Sequence, residues 1–293
     1  MTLPKKIRVP QNILDFVINL ALRMAIFLML LVPYGLRVRA MGAVVQYVVG
    51  PIAGYGKRVQ ANLAKVMPEL PIKERRRIAG RVVNNSGRTL MEVYSGAEFK
   101  ARQKTAPIKG AGLQEILNAR TRGQGVILVS GHFGNYDVPR AVLSAQGHAV
   151  GALYRPFSNP YFDAHYRRTI TAIGAPIFPR GHRGLAEMVR HLRAGGLLGL
   201  LNDQRMSHGP KLKFFGKDAR TALSAAELAL KYNCLLVPVY GLRQPDGLSF
   251  ELLIEPPIPH SDPQTMTQAL NDSLEAMVRG HMDQWFWVHQ RWR

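Results

Sequence analysis

Between Gly131 and Asp137 the chain runs Gly-His-Phe-Gly-Asn-Tyr-Asp, which sets an imidazole and a carboxylate five residues apart. Those two groups suit general-base chemistry. Histidine titrates near neutrality, and a carboxylate on its second ring nitrogen fixes the tautomer and stabilises the imidazolium formed when a hydroxyl is deprotonated. On one continuous helix the pair would point ~140° apart, so a contact needs a turn between them. Gly131 and Gly134 supply the backbone freedom for that turn. The expectation is therefore that Asp137 reaches back to His132 from the first turn of a helix. The N–H groups of that helix would face a developing oxyanion or a phosphate. A His-x4-Asp spacing alone is unspecific, because a capping Asp beside an incidental His produces it by chance. Its place behind an apolar run and between glycines singles it out.

That apolar run, 126–129, is expected to be a buried strand, so His132 falls at a strand's carboxyl end, where α/β sheets collect ligands. Further strands are expected at 149–154, 175–178, 197–201, 235–240 and 248–254. Amphipathic segments at 138–145, 160–173, 185–193, 222–232 and 263–282 are expected to be helices. Alternation of this kind makes crossover units, and the fold class is α/β: a central, mostly parallel sheet flanked by helices. Before it, residues 57–99 carry helical stripes, Leu63/Val66/Met67 and then Ile78, Val82, Val83, Leu90 and Val93.

The N-terminal stretch is different. From Ile13 to Tyr34 it is strongly apolar, interrupted by Asp15, Asn19 and Arg23, preceded by Lys5, Lys6 and Arg8 and followed by Arg37 and Arg39. A spanning helix needs ~20 apolar residues. This one can span with its polar residues near one end, or lie in the interface with its basic flanks on phosphates. No convincing small-residue cleavage site follows it, which disfavours a signal peptide. A second apolar stretch, 44–52, continues the membrane-facing region. The expected organisation is a membrane-associated helical segment, 1–56, and one α/β domain, 57–293.

Thirty-nine bases against nineteen acids give a net charge of +20, which predicts attraction to a polyanion. The bases are spread along the chain rather than gathered in one tail, which weakens a nucleic-acid arm. Zinc, helix-turn-helix and aromatic RNA-binding patterns are lacking. An anionic membrane accounts for both the charge and the apolar N-terminal segment. Cys234, the only cysteine, sits in an apolar run and is expected to be a buried core thiol.

Other polar residues fall at expected strand ends. Asp203 and Gln204 follow the 197–201 run; Asp203 either supports the histidine, binds substrate or makes a turn. Arg155 ends another strand, where a guanidinium can hold a phosphate through two hydrogen bonds; the alternative is a surface charge. Asn159 is expected either to bond a sugar hydroxyl or to cap the next helix. Arg180, Arg183 and Arg220 are further phosphate candidates, each reading singly as a surface charge.

The stretch His132-Phe133-Gly134-Asn135-Tyr136-Asp137 resembles the first block of the late (secondary) acyltransferases of lipid A biosynthesis, within the wider glycerolipid acyltransferase superfamily. Matching blocks follow in order: Tyr154-Arg155-Pro156 with Asn159, Asn202-Asp203-Gln204, Phe214-Phe215-Gly216 with Thr221, and Trp287-Val288-His289-Gln290-Arg291-Trp292. The resemblance covers nearly the whole chain. It implies an enzyme on the cytoplasmic face of the inner membrane that moves an acyl chain from acyl carrier protein to a hydroxyl of a phosphorylated glycolipid. No metal or organic cofactor is implied. His132 would be the base, Asp137 its orienting carboxylate, and Arg155, Asn159, Asp203, Gln204 and Arg180 substrate contacts. Two departures stand out. Phe178-Pro179-Arg180-Gly181 has Arg where glycerophosphate acyltransferases often carry Glu, which lowers that reading. Gln290 replaces a second basic residue in the C-terminal block. Acylation of another membrane lipid is the nearest rival. A metallohydrolase built on His132, Asp137 and Asp203, and a basic nucleic-acid binder, are the rivals from other classes. Trp285, Trp287 and Trp292 are expected either at a membrane interface or packed in the core.

Overall fold

The computed structural model describes residues 11–292. The basic cluster Lys5, Lys6 and Arg8 lies outside the described residues. The first third is helical: α1 (Gln11–Leu30), α2 (Tyr34–Val44), a π-helical turn (Val45–Val49), α3 (Gly50–Ala53), α4 (Tyr55–Val66), α5 (Ile72–Tyr94) and α6 (Gly96–Arg102). Next come β1 (Ile108–Lys109), α7 (Gly112–Thr121), β2 (Val126–Ser130), α8 (Val138–Ala145), β3 (Val150–Tyr154), α9 (Pro160–Ile173), β4 (Ile177–Pro179) and α10 (His182–Arg193). The chain continues through β5 (Leu197–Leu201), β6 (Lys211–Phe214), β7 (Lys217–Arg220), α11 (Ser224–Tyr232), β8 (Leu235–Arg243), β9 (Phe250–Ile254) and α12 (Pro263–Gly280).

Seven strands form one sheet in the order β1-β9-β8-β2-β5-β3-β4. β8, β2, β5, β3 and β4 run parallel, whereas β9 returns antiparallel to β8. β2 explains the centre: every residue of Val-Ile-Leu-Val-Ser is buried, as a strand covered on both faces requires. Its side chains alternate between two cores. Val126 and Leu128 pack with Val138 and Val142 of α8, Ile170 and Ile173 of α9, and Met91 of α5. Ile127 and Val129 pack with Met188 and Leu192 of α10, Ala225 and Ala229 of α11, and Leu270 of α12. The expected mostly parallel α/β sheet with helices on both faces is what forms.

A third core is aromatic. Trp285, Trp287 and Trp292 are buried against Phe214, Phe215, Val59 and Leu63. The tryptophans are thus core residues here rather than interface anchors, and their ring nitrogens find internal acceptors: Trp287 donates to the Met282 carbonyl at 2.7 Å and Trp292 to that of Phe214 at 2.9 Å. Phe214 and Phe215 reach this core from the antiparallel β6–β7 hairpin, turned by Phe215 and Gly216 at φ 53° and 67°.

α1 stands apart. Asp15, Asn19 and Arg23 recur every four residues and so share one face. Asn19 is buried and Asp15 half-buried, so that face meets the protein at α9, where Asn159 Nδ2 donates to the Asp15 carbonyl at 2.7 Å. Most of its apolar side chains stay exposed, among them Ile13, Phe16, Val17, Leu20, Met24, Phe27 and Leu28, while Met29 packs on the core. Among the described residues α1 is the one helix long and apolar enough to cross a membrane, with a mean hydropathy of 2.1. The exposed apolar surface continues through Leu36, Val44, Tyr47, Val48 and Ile52. Arg37, expected as a basic flank, is buried instead. It donates to the Leu30 and Val32 carbonyls at the end of α1 and pairs with Glu98. Tyr34 and Val38 of α2 belong to the core beneath the sheet.

Candidate active site

β2 and β5 are neighbours in register, with Ser130 opposite Leu201. Two residues beyond each strand end stand His132 and Asp203, and the register brings them face to face. His132 Nδ1–H donates to Asp203 Oδ1 at 2.8 Å, and the His132 backbone N–H donates to Oδ2 at 2.8 Å. Trp285 Nε1–H donates to the same Oδ2 at 2.9 Å. Three donors therefore converge on one buried carboxylate. The imidazole tautomer follows: Nδ1 carries the proton, and Nε2 keeps its lone pair, with the Gln204 side-chain nitrogen 3.4 Å away.

The partner expected for His132 was Asp137, and the structure corrects that contact. The Asp137 carboxylate is paired with Arg140, whose guanidinium also donates to the Ile170 and Gly174 carbonyls. The reason is local. Asp137 stands at the start of α8 but its side chain caps nothing; Pro139 fills the early helical position instead. The carboxylate turns inward to a residue three ahead on the same helical face. Asn135 then consumes the N–H groups expected to face an oxyanion. Its Oδ1 accepts from Asp137 N–H at 2.9 Å, and its carbonyl accepts from Val138 N–H at 3.0 Å.

The loop between β2 and α8 is held from two further sides. Gly134, at φ 55°, lies so close to β8 that a Cβ would come within 1.9 Å of the Gly241 carbonyl oxygen. Residues 284–286 run antiparallel beside it, with Gly134 N–H donating to the Gln284 carbonyl at 2.8 Å and Phe286 N–H to that of His132 at 2.9 Å. Beneath, Asn135 Nδ2 donates to Glu92 at 2.9 Å, and Glu92 is ion-paired to Arg243 with both side chains buried. Thr89 Oγ1 donates to the Gly134 carbonyl at 3.0 Å.

Electrostatics tune the His132–Asp203 pair. Burial alone would lower the imidazole's pKa, but the charge of Asp203 and its hydrogen bond outweigh it, so His132 lies above the ordinary value of 6.5. Burial would raise the Asp203 pKa; the interactions with His132 and the Trp285 N–H overcome it and hold the carboxyl down at about 2. The His132 side chain remains 23% exposed, so its ring is reachable.

Two cavities meet at that ring, and His132 and Tyr136 line both. One, of about 330 Å³, runs under the carboxyl ends of β3 and β5, walled by Leu128, Ala152, Ile170 and Gly199 with Arg155 and Gln204 among its polar groups. The other, of about 210 Å³, lies between α5 and the C-terminal segment, walled by Val82, Leu90 and Phe286. Asp137 also borders the first.

The remaining expected site residues divide. Arg155 is exposed and borders the first cavity, as does Gln204. Asn159 is a helix cap: its Oδ1 accepts from Tyr161 and Phe162 N–H at 3.1 and 3.0 Å, while its amide donates to the Asp15 carbonyl of α1. Arg180 is exposed at the end of β4, its N–H donating to the Tyr154 carbonyl at 2.8 Å, next to Arg155 across the β3–β4 pair. Arg183 makes an exposed ion pair with Glu187, and Arg220 donates to the Gly209 carbonyl. His132, Asp137 and Asp203 do not converge as a metal set, and among the described residues no three of His, Cys, Asp and Glu group as ligands. Cys234 is buried, its thiol pushed up to about 11 by burial. Sequence reasoning missed Trp285 as a ligand of Asp203 and the Glu92–Arg243 pair under the loop. Trp285 lies just ahead of the C-terminal block, which was the available signal; Glu92 and Arg243 gave none.

An imidazole–carboxylate dyad thus stands at parallel strand ends where two cavities open, in a protein whose helix α1 carries an exposed apolar surface. Comparison places it further. The family described as bacterial lipid A biosynthesis acyltransferase matches residues 2–293, and the chain belongs to that family. It is similar to the lipid A biosynthesis lauroyltransferase of Escherichia coli (strain K12), at 25% identity over 245 residues, 81% of this chain and 78% of that protein. A lipid A biosynthesis acyltransferase of Haemophilus influenzae is 23% identical over 269 residues, 90% of this chain and 84% of its own. The phosphatidylinositol mannoside acyltransferase of Mycobacterium tuberculosis is 23% identical over 248 residues, covering 82% and 78%.

Proposed function

We propose that this acyltransferase moves a fatty acyl chain from acyl carrier protein to a hydroxyl of a phosphorylated lipid A precursor at the cytoplasmic face of the inner membrane. The observation that carries the reading is the His132–Asp203 dyad with its Nε2 turned to where two cavities meet. In the reaction, His132 Nε2 takes the proton of the acceptor hydroxyl, and the oxygen attacks the thioester carbonyl. Asp203 holds the tautomer and stabilises the imidazolium. The tetrahedral intermediate collapses with loss of the thiolate, which recovers the proton from His132. The Gln204 amide, 3.4 Å from His132 Nε2, supplies a donor for the oxyanion. Asp137, paired with Arg140, keeps the loop in place. Arg155, with Arg180 beside it, meets phosphate at the rim.

The surrounding surface supports the same reading. The exposed apolar residues of α1 and of 44–52 suit a bilayer, and the +20 charge suits both an acidic carrier protein and a phosphorylated lipid. A mannoside or other membrane lipid as acceptor is the second reading, favoured by the mycobacterial relative. The deciding experiment incubates the purified protein and His132→Ala with mixed acyl carrier protein donors and a tetra-acyl lipid A precursor, followed by mass spectrometry. One added acyl mass, absent with the variant, is expected. Folded protein that adds none sinks the acceptor assignment, and transfer at the wild-type rate by His132→Ala sinks the base.

A further inference from the structure

The geometry points to a second anchoring cleft for the acceptor, on the side of His132 away from Arg155, that takes a phosphate-bearing sugar headgroup. It rests on the acceptor class proposed above and adds where that lipid's polar head is held. The cleft is a cavity of about 660 Å³ between α5, the π-helical turn, the β8–β9 turn and the C-terminal segment. It shares Asn85 and Gln284 with the 210 Å³ cavity that reaches His132. A headgroup seated there therefore adjoins the catalytic ring through that cavity.

Its lining is chemically distinct from the other two cavities. Arg81, Arg88 and Arg243 face it together with the amides of Gln46 and Asn84. Guanidinium groups hold phosphate through paired hydrogen bonds, and side-chain amides match sugar hydroxyls as both donors and acceptors. Two of these charges are already partnered: Arg243 by buried Glu92, and Arg81, at 3.7 Å, by Asp283, which also lines the cleft. Arg88 has no carboxylate within salt-bridge distance among the described residues. It donates through Nε to Asn84 Oδ1 at 2.6 Å and through one terminal nitrogen to the Gly247 carbonyl at 3.0 Å; its other terminal nitrogen has no partner among the described residues. Burial, and then the neighbouring charge of Arg243, lowers the Arg88 pKa, so an anion seated here relieves repulsion between two guanidiniums.

The cleft's position fits a lipid rather than a soluble anion. Gln46 belongs to the π-helical turn and accepts from Asn84 Nδ2 at 2.9 Å. That closeness depends on Gly87 of α5, where a Cβ would lie 2.5 Å from the Met41 carbonyl oxygen. Beside Gln46, Val44, Tyr47 and Val48 are exposed, Tyr47 by 71%. A polar cleft thus opens next to the apolar surface assigned above to the bilayer, where a headgroup is found while its chains stay in the membrane. π-helical insertions recur at functional positions.

The test titrates the full-length protein, Arg88→Gln and Arg88→Lys against a fluorescent, phosphorylated tetra-acyl glucosamine disaccharide in detergent micelles, and repeats each titration with the dephosphorylated probe. Arg88→Gln should weaken binding of the phosphorylated probe about tenfold or more, with Lys restoring most of it. The dephosphorylated probe should bind all three proteins alike. Because Arg88 also braces Gly247, Asn84→Ala is the companion variant; it should weaken binding about threefold. Equal binding of the phosphorylated probe by wild type and Arg88→Gln overturns the assignment. So does a raised KM for the acyl carrier protein donor with an unchanged acceptor KM, which would give the cleft to the donor's phosphate. Binding is read without turnover, so failure of this cleft, with acyl transfer intact, is distinct from failure of the acceptor class itself.

Discussion

Asp137 and Asp203 are buried to the same depth, each 4% exposed, on either side of one histidine-bearing loop, yet they do different work. Asp203 faces a group that can gain and lose a proton, and three donors fix it in place. Asp137 faces the Arg140 guanidinium, which is itself tied to two carbonyls. A buried carboxylate beside an imidazole gives a tunable base; beside a guanidinium it gives a fixed strut. Burial alone does not separate the two. The partner does.

The largest effect that would break this contrast is on turnover. His132→Ala should reduce kcat/KM by roughly 10⁴, at the upper end of general-base contributions, and should also lower thermal melting, because it leaves the buried Asp203 carboxylate without its imidazole partner. An ordinary rate from that variant would remove the base. Asp203→Asn should lower kcat by about a thousandfold, measurable in the same acyl-transfer assay, because the amide no longer stabilises the imidazolium. Asp137→Asn should instead leave the folded enzyme's kcat within about tenfold of wild type while costing about 3 kcal/mol of stability, as an unpaired buried Arg140 does; denaturant unfolding measures it. Should Asp137→Asn match Asp203→Asn in kcat without loss of stability, the two roles would have to be exchanged. The smallest effect is at the rim: Arg155→Ala should raise the acceptor KM about tenfold, with kcat little altered. An unchanged KM would remove its phosphate contact.

The pair also carries a pH signature in stability. His132 has its pKa raised by folding, so its contribution is complete below 6.5 and is lost as pH rises through the higher folded value. Asp203 is depressed from 3.8 to about 2, so its contribution is present above 3.8 and is lost as pH falls toward 2. Between those limits the dyad is at its strongest as a structural contact, with His132 protonated.

Much of the sheet was legible because each central strand announces itself locally. The 197–201 run and the 138–145 and 160–173 helices appear at the bounds read from apolar periodicity. β1 spans two residues and carries no pattern of its own. The β6–β7 hairpin was missed because Lys211–Phe214 and Lys217–Arg220 are short, and because its turn begins with Phe215 in a left-handed conformation rather than with Asn or Asp. The π-helical turn lies within a helical pattern, which apolar spacing does not resolve. At the site, both His132 and Asp203 were identifiable as strand-end residues, and support of the histidine was one of three readings open for Asp203. Proximity in sequence favoured Asp137; proximity in space comes from β2 and β5 being adjacent and in register, which depends on strand order and not on any local signal. The Glu92–Arg243 pair under the loop joins residues 151 positions apart and was invisible for the same reason.

The most direct test of the dyad is the pH dependence of kcat/KM for acyl transfer in wild type, Asp203→Asn and Asp137→Asn. A general base works unprotonated, so wild-type activity should rise with pH along a limb centred above 6.5. Asp203→Asn should move that limb to lower pH and lower the plateau, because burial then acts on the imidazole without its counter-charge, whereas Asp137→Asn should leave the limb where it is. A limb that stays put in Asp203→Asn and shifts in Asp137→Asn would contradict the assignment of Asp203 as the carboxylate that sets His132.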